Sequence, residues 1–234
     1  MVIGNLTIKN ATVTGANGVI SVEGAGNSLA LENCKVEGAS RAINVLNGAE
    51  VTIGKGTKVS ASGCVVFVNT TEDVKSVLNV EGEITCTDEN YAIGGNGSKD
   101  NKAIEVNVLP GAKITSLYDS AIFMPVAGSV NVKGGLITGL DGIYLKSGEV
   151  NVSDGTIIGK GNAEYKYSGN GSNAMGHGIV VEFTDYPSGL AKLNVTGGTV
   201  SSNKKDPIGY VKSPKCTDAR TLEELIAANV NVAL

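Results

Sequence analysis

Three columns of branched aliphatic residues recur in step along this 234-residue chain. The first runs Ile8, Leu31, Ile53, Val80, Val108, Val132, Val152 and Val195. The second runs Val13, Val36, Val59, Ile84, Ile114, Ile137, Ile157 and Val200. The third runs Ile20, Ile43, Val66, Ile93, Ile122, Ile143, Ile179 and Ile208. Members of a column usually lie 20 to 30 residues apart, with one longer interval around the seventh unit. Beside them apolar and polar residues alternate, as in Ser129-Val130-Asn131-Val132-Lys133-Gly134, the pattern of a strand with one buried face. Glycines follow the first strand, where the chain must turn through backbone angles that other residues resist.

Self-similarity at this period, with three short strands per unit, predicts a solenoid. Stacking like on like at about 4.8 Å per strand makes eight units into a rod about 40 Å long. A β-sandwich also has many short strands, but nothing in it would hold three columns in phase over eight units. The expected fold is therefore all-β: a single-stranded parallel β-helix of about eight three-strand coils over residues 1–213. Residues 214–234 form a C-terminal cap, in which Thr221-Leu222-Glu223-Glu224 reads as a capping box that opens a short helix. The alternating tail after it suits a terminal strand.

The columns, the N-V-x-G and G-x-[IV]-[TS] runs and the three-strand unit resemble the right-handed parallel β-helix superfamily. That superfamily includes pectate-lyase-like polysaccharide enzymes, phage tailspikes and bacterial surface adhesins. The resemblance spans residues 5 to about 212 and implies a fold, while leaving activity open.

Composition narrows the function classes. The net charge is −4, and Arg41 and Arg220 are the only arginines, which argues against a nucleic-acid groove. No stretch approaches the roughly 20 apolar residues of a membrane span. Residues 1–5 lead straight into the first coil without a basic, then apolar, export signal, which points to assembly in a host cytoplasm. Cys34, Cys64, Cys86 and Cys216 share no metal-type spacing and read as free thiols. No cofactor is implied.

Departures from the repeat are where a rigid scaffold carries function. Three corners lengthen, at residues 69–76, 94–102 and 184–191, all after the third strand and so along one edge of the rod. The largest break, residues 159–176, holds Tyr165, Lys166, Tyr167, Asn170 and Asn173. These suit recognition of carbohydrate or a protein surface, or the tyrosines fold back and cover the coil. Asn79, Asn107, Asn131, Asn151 and Asn194 face outward in register and predict an amide ladder. Asp141, His177 and Asp206 hold equivalent positions on consecutive coils, as an ion-pair or metal row or as ordinary turn residues.

No carboxylate pair or calcium-type cluster stands out, so the reading is a non-enzymatic structural or attachment protein. The expected setting is a phage virion, as a fibre, spike or capsid-decorating module that binds a host-surface glycan or another virion protein. The alternatives are a polysaccharide lyase or glycoside hydrolase of β-helix type, and a secreted surface adhesin found at the cell surface. The N-terminal end, with no visible cap, is expected to dock onto another virion or cell-surface protein. Homo-oligomerisation, as a trimer, is implied by analogy alone.

Overall fold

The computed structural model describes residues 1–203 and 206–233, which wind into a parallel β-solenoid closed by one helix. The first and second strands of the coils build two faces that join into one 15-stranded sheet, and the third strands build a separate 8-stranded sheet. Six windings supply three separate strands each. In two others the first and second strands run together as Gly128–Gly139 and Glu149–Gly159, so about six coils, where about eight were expected, have three separate strands. The fusion depends on glycine at the bend. Gly155 has φ +97°, and a Cβ there would stand 2.7 Å from the Gly134 carbonyl oxygen.

Each predicted column superposes residue for residue. The third runs Ile20 on Ile43 on Val66 on Ile93, then Ile122, Ile143, Ile179 and Ile208. The first ends one step later than expected, with Val195 pairing Val232 of the terminal strand. Every column member except Ile8 and Val13 of the opening coil is buried. Two more inward columns escaped the sequence reading. One lies two residues upstream of the first column, from Leu29 through Val51, Leu78 and Val106 to Val130 and Val150. The other includes Val22, Val45, Val68 and, further along, Leu145 and Val181. A strand with two inward residues buries about twice the apolar area of one, at ~1.5–3 kcal/mol per side chain.

Outside the core, the amide ladder forms. Asn107 donates to Asn79 at 3.0 Å, Asn131 to Asn107 at 3.1 Å and Asn151 to Asn131 at 3.1 Å. A separate rung forms further along, where Asn231 donates to Asn194 at 2.9 Å. All four cysteines are free thiols.

The helix Leu222–Asn229 starts on the expected box. The Glu224 N–H donates to Thr221 Oγ1 at 3.2 Å, and the Thr221 N–H donates to Glu224 Oε2 at 2.8 Å. Leu225 is fully buried over the last coil, and the strand Val230–Val232 pairs in parallel with Lys192–Val195. Leu234, the end of the expected tail strand, lies outside the described residues. At the opposite end Val2 bridges to Val22, while Ile3 and Leu6 are exposed. Among the described residues, the first strands Asn5–Lys9 and Thr12–Gly15 each have one strand neighbour.

Candidate functional site

The chemistry of this rod collects on the outer side of the 8-stranded face. Its central outward row reads Ser21, Asn44, Phe67, Gly94, Phe123, Tyr144, Val180 and Gly209, each residue paired with the next. The row starts polar, turns aromatic and then aliphatic. Apolar groups facing away from the core need a cover, and residues 159–176 supply one. Phe123, Tyr144, Val180 and Met175 form a second, buried apolar cluster, with Tyr91 and Tyr165 packed at its edge.

Hydrogen bonds dock the loop. The Asp141 carboxylate, fully buried, accepts the backbone N–H groups of Met175, Gly176 and His177 at 3.1, 2.7 and 3.1 Å. Asn173 Nδ2 donates to the Tyr144 hydroxyl at 2.8 Å, and the Ser172 N–H donates to the Tyr91 hydroxyl at 3.2 Å. The Ser172 hydroxyl also donates to Asp119. Tyr186 Oη donates to the Gly169 carbonyl at 3.0 Å, and Lys146 Nζ to the Ser168 carbonyl at 2.5 Å. Backbone groups of a Gly/Ser/Asn-rich segment, which would otherwise be left to water, are thus satisfied by side chains at the corners flanking the 8-stranded sheet.

Beneath the loop lies a sealed polar knot. Lys146 Nζ stands 3.5 Å from Glu182 Oε2, with both side chains at 1% exposure or less. Tyr144 donates to Glu182 Oε2 at 2.6 Å, and Tyr165 donates to Oε1 at 3.2 Å. Burial lowers the Lys146 pKa, against the attraction of Glu182. It raises Tyr144 far above the ordinary phenol range, with the neighbouring carboxylate adding to the shift. Burial and then the Glu182 charge push Tyr165 and Tyr186 each up to about 12.

Next to this covered patch the same face stays open, as a cleft of about 380 Å³. Its floor is Gly94, whose missing side chain leaves a gap between Phe67 and Phe123 in the outward row. Gly94 does not have positive φ; a Cβ would meet Cys64 Sγ at 3.1 Å and Tyr91 Cδ2 at 3.4 Å. On one wall the Arg41 guanidinium lies 4.4 Å over the Phe67 ring and donates to Asn44 Oδ1 at 3.1 Å. On the other, Tyr91 and Phe123 stack with centroids 4.7 Å apart. Asn90, Asn96 and Asn170 add amides at the rim. Burial pushes the Cys64 thiol at the base up to about 12, which keeps it protonated at neutral pH.

The loop residues expected to bind are therefore divided. Asn170 lines the cleft. Tyr165 and Asn173 face the polar knot, and the Lys166 N–H bonds the Asn173 amide oxygen at 2.8 Å within the loop. Tyr167 remains exposed. Asp141 and His177 meet through the histidine's backbone N–H, and the His177 ring takes the Asp206 carbonyl oxygen at 2.7 Å through Nδ1. Each of these bonds belongs to a turn or to loop docking. Among the described residues no three His, Cys, Asp or Glu side chains gather to hold a metal ion. The three long corners do share one edge: the Lys102 N–H bonds the Thr70 carbonyl at 2.8 Å, and Gly97 packs against the Tyr186 ring.

Sequence reasoning did not single out Phe67, Gly94, Tyr91 and Phe123, or the Lys146–Glu182 pair. The available signal was the outward parity of the third strand, where aromatic residues replace Ser21 and Asn44. Comparison with known proteins adds nothing to the geometry: no family model, no curated protein and no solved structure matches the chain.

Proposed function

We propose that this chain is a non-enzymatic attachment protein, a fibre, spike or capsid-decorating module of a virion, that holds a saccharide ring in the cleft over Gly94. One observation carries the reading: Phe67, beneath the Arg41 guanidinium, and the stacked pair of Tyr91 and Phe123 line one cleft about Gly94, with three asparagines in the same lining. Ring faces carry negative charge density that attracts the weakly positive C–H face of a sugar. Amides supply both donors and acceptors for its hydroxyls. Such a mix of apolar walls and few convergent polar groups suits a small-ligand site.

Binding is favoured over cleavage by the position of Glu182. A general acid must reach the glycosidic oxygen, and this carboxylate is sealed and held by Lys146 and two phenols.

Saturation-transfer NMR against a panel of neutral and acidic oligosaccharides tests the cleft. At least one should bind, and Gly94→Val and Phe67→Ala should each abolish its signal. A panel without a binder at millimolar concentration, or a Gly94→Val variant that binds like the wild type, would refute the saccharide reading. The virion setting is tested separately by co-sedimentation with purified particles, and absence from them would refute it.

A further inference from the structure

We infer that the cleft selects a saccharide carrying a carboxylate, with Arg41 as the group that receives it; the inference rests on the saccharide reading and names its ligand class. The chain has two arginines, and they stand in opposite situations. Arg220 is already answered: Nε donates to Asp218 Oδ1 at 2.9 Å and Nη2 donates to Oδ2 at 2.6 Å, the two-pronged fit of guanidinium to carboxylate. Arg41 has an aromatic ring beneath it and one amide oxygen beside it. Among the described residues no carboxylate lies within ion-pair distance of Arg41.

A guanidinium offers five N–H donors in a fixed plane, and here one is committed to Asn44. The Phe67 ring 4.4 Å away and the bond to Asn44 hold the Arg41 head group at the cleft wall, which reduces the side-chain freedom left to lose when a ligand binds. Arg41 is also the one charged side chain among the residues that line the cleft. Asp119, whose charge acts on Tyr91, accepts the Ser172 hydroxyl and the Ser120 N–H and does not line the cavity. In a protein of net charge −4, an uncompensated, pre-oriented arginine on an aromatic platform is an anion receptor. The asparagines and aromatic walls then limit the anion to one carried on a ring with hydroxyls.

The test compares lactose with 3′-sialyllactose, and cellobiose with a glucuronic-acid-containing disaccharide, by calorimetry at low and physiological salt. An acidic sugar should bind roughly tenfold or more tightly than its neutral partner, the scale of one charge-assisted hydrogen-bond pair. The advantage should shrink with salt. Arg41→Gln should erase it, and Arg41→Lys should restore part of it. Equal binding of neutral and acidic sugars to the wild type overturns the inference and leaves the saccharide reading standing. If no sugar binds, both fall. The wild-type comparison decides the question even if a variant folds poorly.

Discussion

Lys146→Met should lower the stability of the fold by about 3–5 kcal/mol, because it strands a buried carboxylate without its counter-charge. Both partners are at 1% exposure or less, with Nζ 3.5 Å from Glu182 Oε2. Glu182 would keep its two phenol donors, at 2.6 and 3.2 Å. Each hydrogen bond to a charged group is worth about 1.5–3 kcal/mol, so the loss should fall at the lower end of the range. The Ser168 carbonyl would also lose its donor, which loosens the loop. Glu182→Leu should cost at least as much, since it leaves an ammonium with one carbonyl and two tyrosine rings at 5.8 and 5.9 Å. Combined with Lys146→Met it should recover much of the loss, because replacing both members of a buried pair by apolar groups is often near neutral. Recovery stays incomplete while Tyr144 and Tyr165 lack an acceptor, and adding Tyr144→Phe should improve it. Guanidinium titration by circular dichroism gives the midpoints, and equal slopes check that the solenoid unfolds as one unit. A Lys146→Met midpoint equivalent to less than about 0.5 kcal/mol, or additive losses in the double variant, would refute the sealed pair.

Two further outcomes follow from the same face and core. Tyr91, Tyr165 and Tyr186 are each pushed up to about 12 from 10.0, chiefly by burial, and Tyr144 is raised in the same direction. A folded pKa above the unfolded one means that the fold holds the phenolic proton more tightly. That contribution is complete below pH 10 and is lost as pH rises through 12. Stability should fall over that window, with tyrosinate absorbance at ~295 nm rising together with unfolding; ionisation of these phenols near pH 10 in a still-folded chain would contradict the burial argument. Ile122→Ala, in the middle of the third column, should cost about 2–5 kcal/mol. Ile8→Ala should cost clearly less, because Ile8 is only half-buried at the open end. Equal losses would show that the first coil is as well packed as the fifth.

The fold was legible because parallel stacking converts a sequence period directly into contact. Ile43 and Val66 need no long-range information to find each other once strands repeat in phase, and the amides of Asn107 and Asn131 meet for the same reason. The two extra inward columns were missed for a simple reason. Leu29 and Leu78 share the parity of the first column, so they added no new period, only more burial. Fusion of the two strands in Gly128–Gly139 was hidden too, since Gly134 and Gly135 read as a break when they in fact carry one strand round a bend.

The site was less legible because composition says what a loop is made of and not where it docks. Residues 159–176 look solvated, yet their amides and carbonyls are taken up by Tyr144 of the sheet and by Tyr91, Lys146 and Asp141 at its corners. Lys146 and Glu182 become neighbours only through the pairing of Leu145 with Val181, which bridges that insertion. Arg41 shows the other limit. As a corner residue it sits in a row with Gly18, Cys64, Tyr91 and Ser120, a set too mixed to suggest a role. The role proposed for it draws on Phe67 on the next coil and Gly94 on the one after, which the corner row does not contain. On the proposed reading the binding site forms where Gly94 breaks the outward row, so filling that position should remove the cleft while leaving every inward column intact.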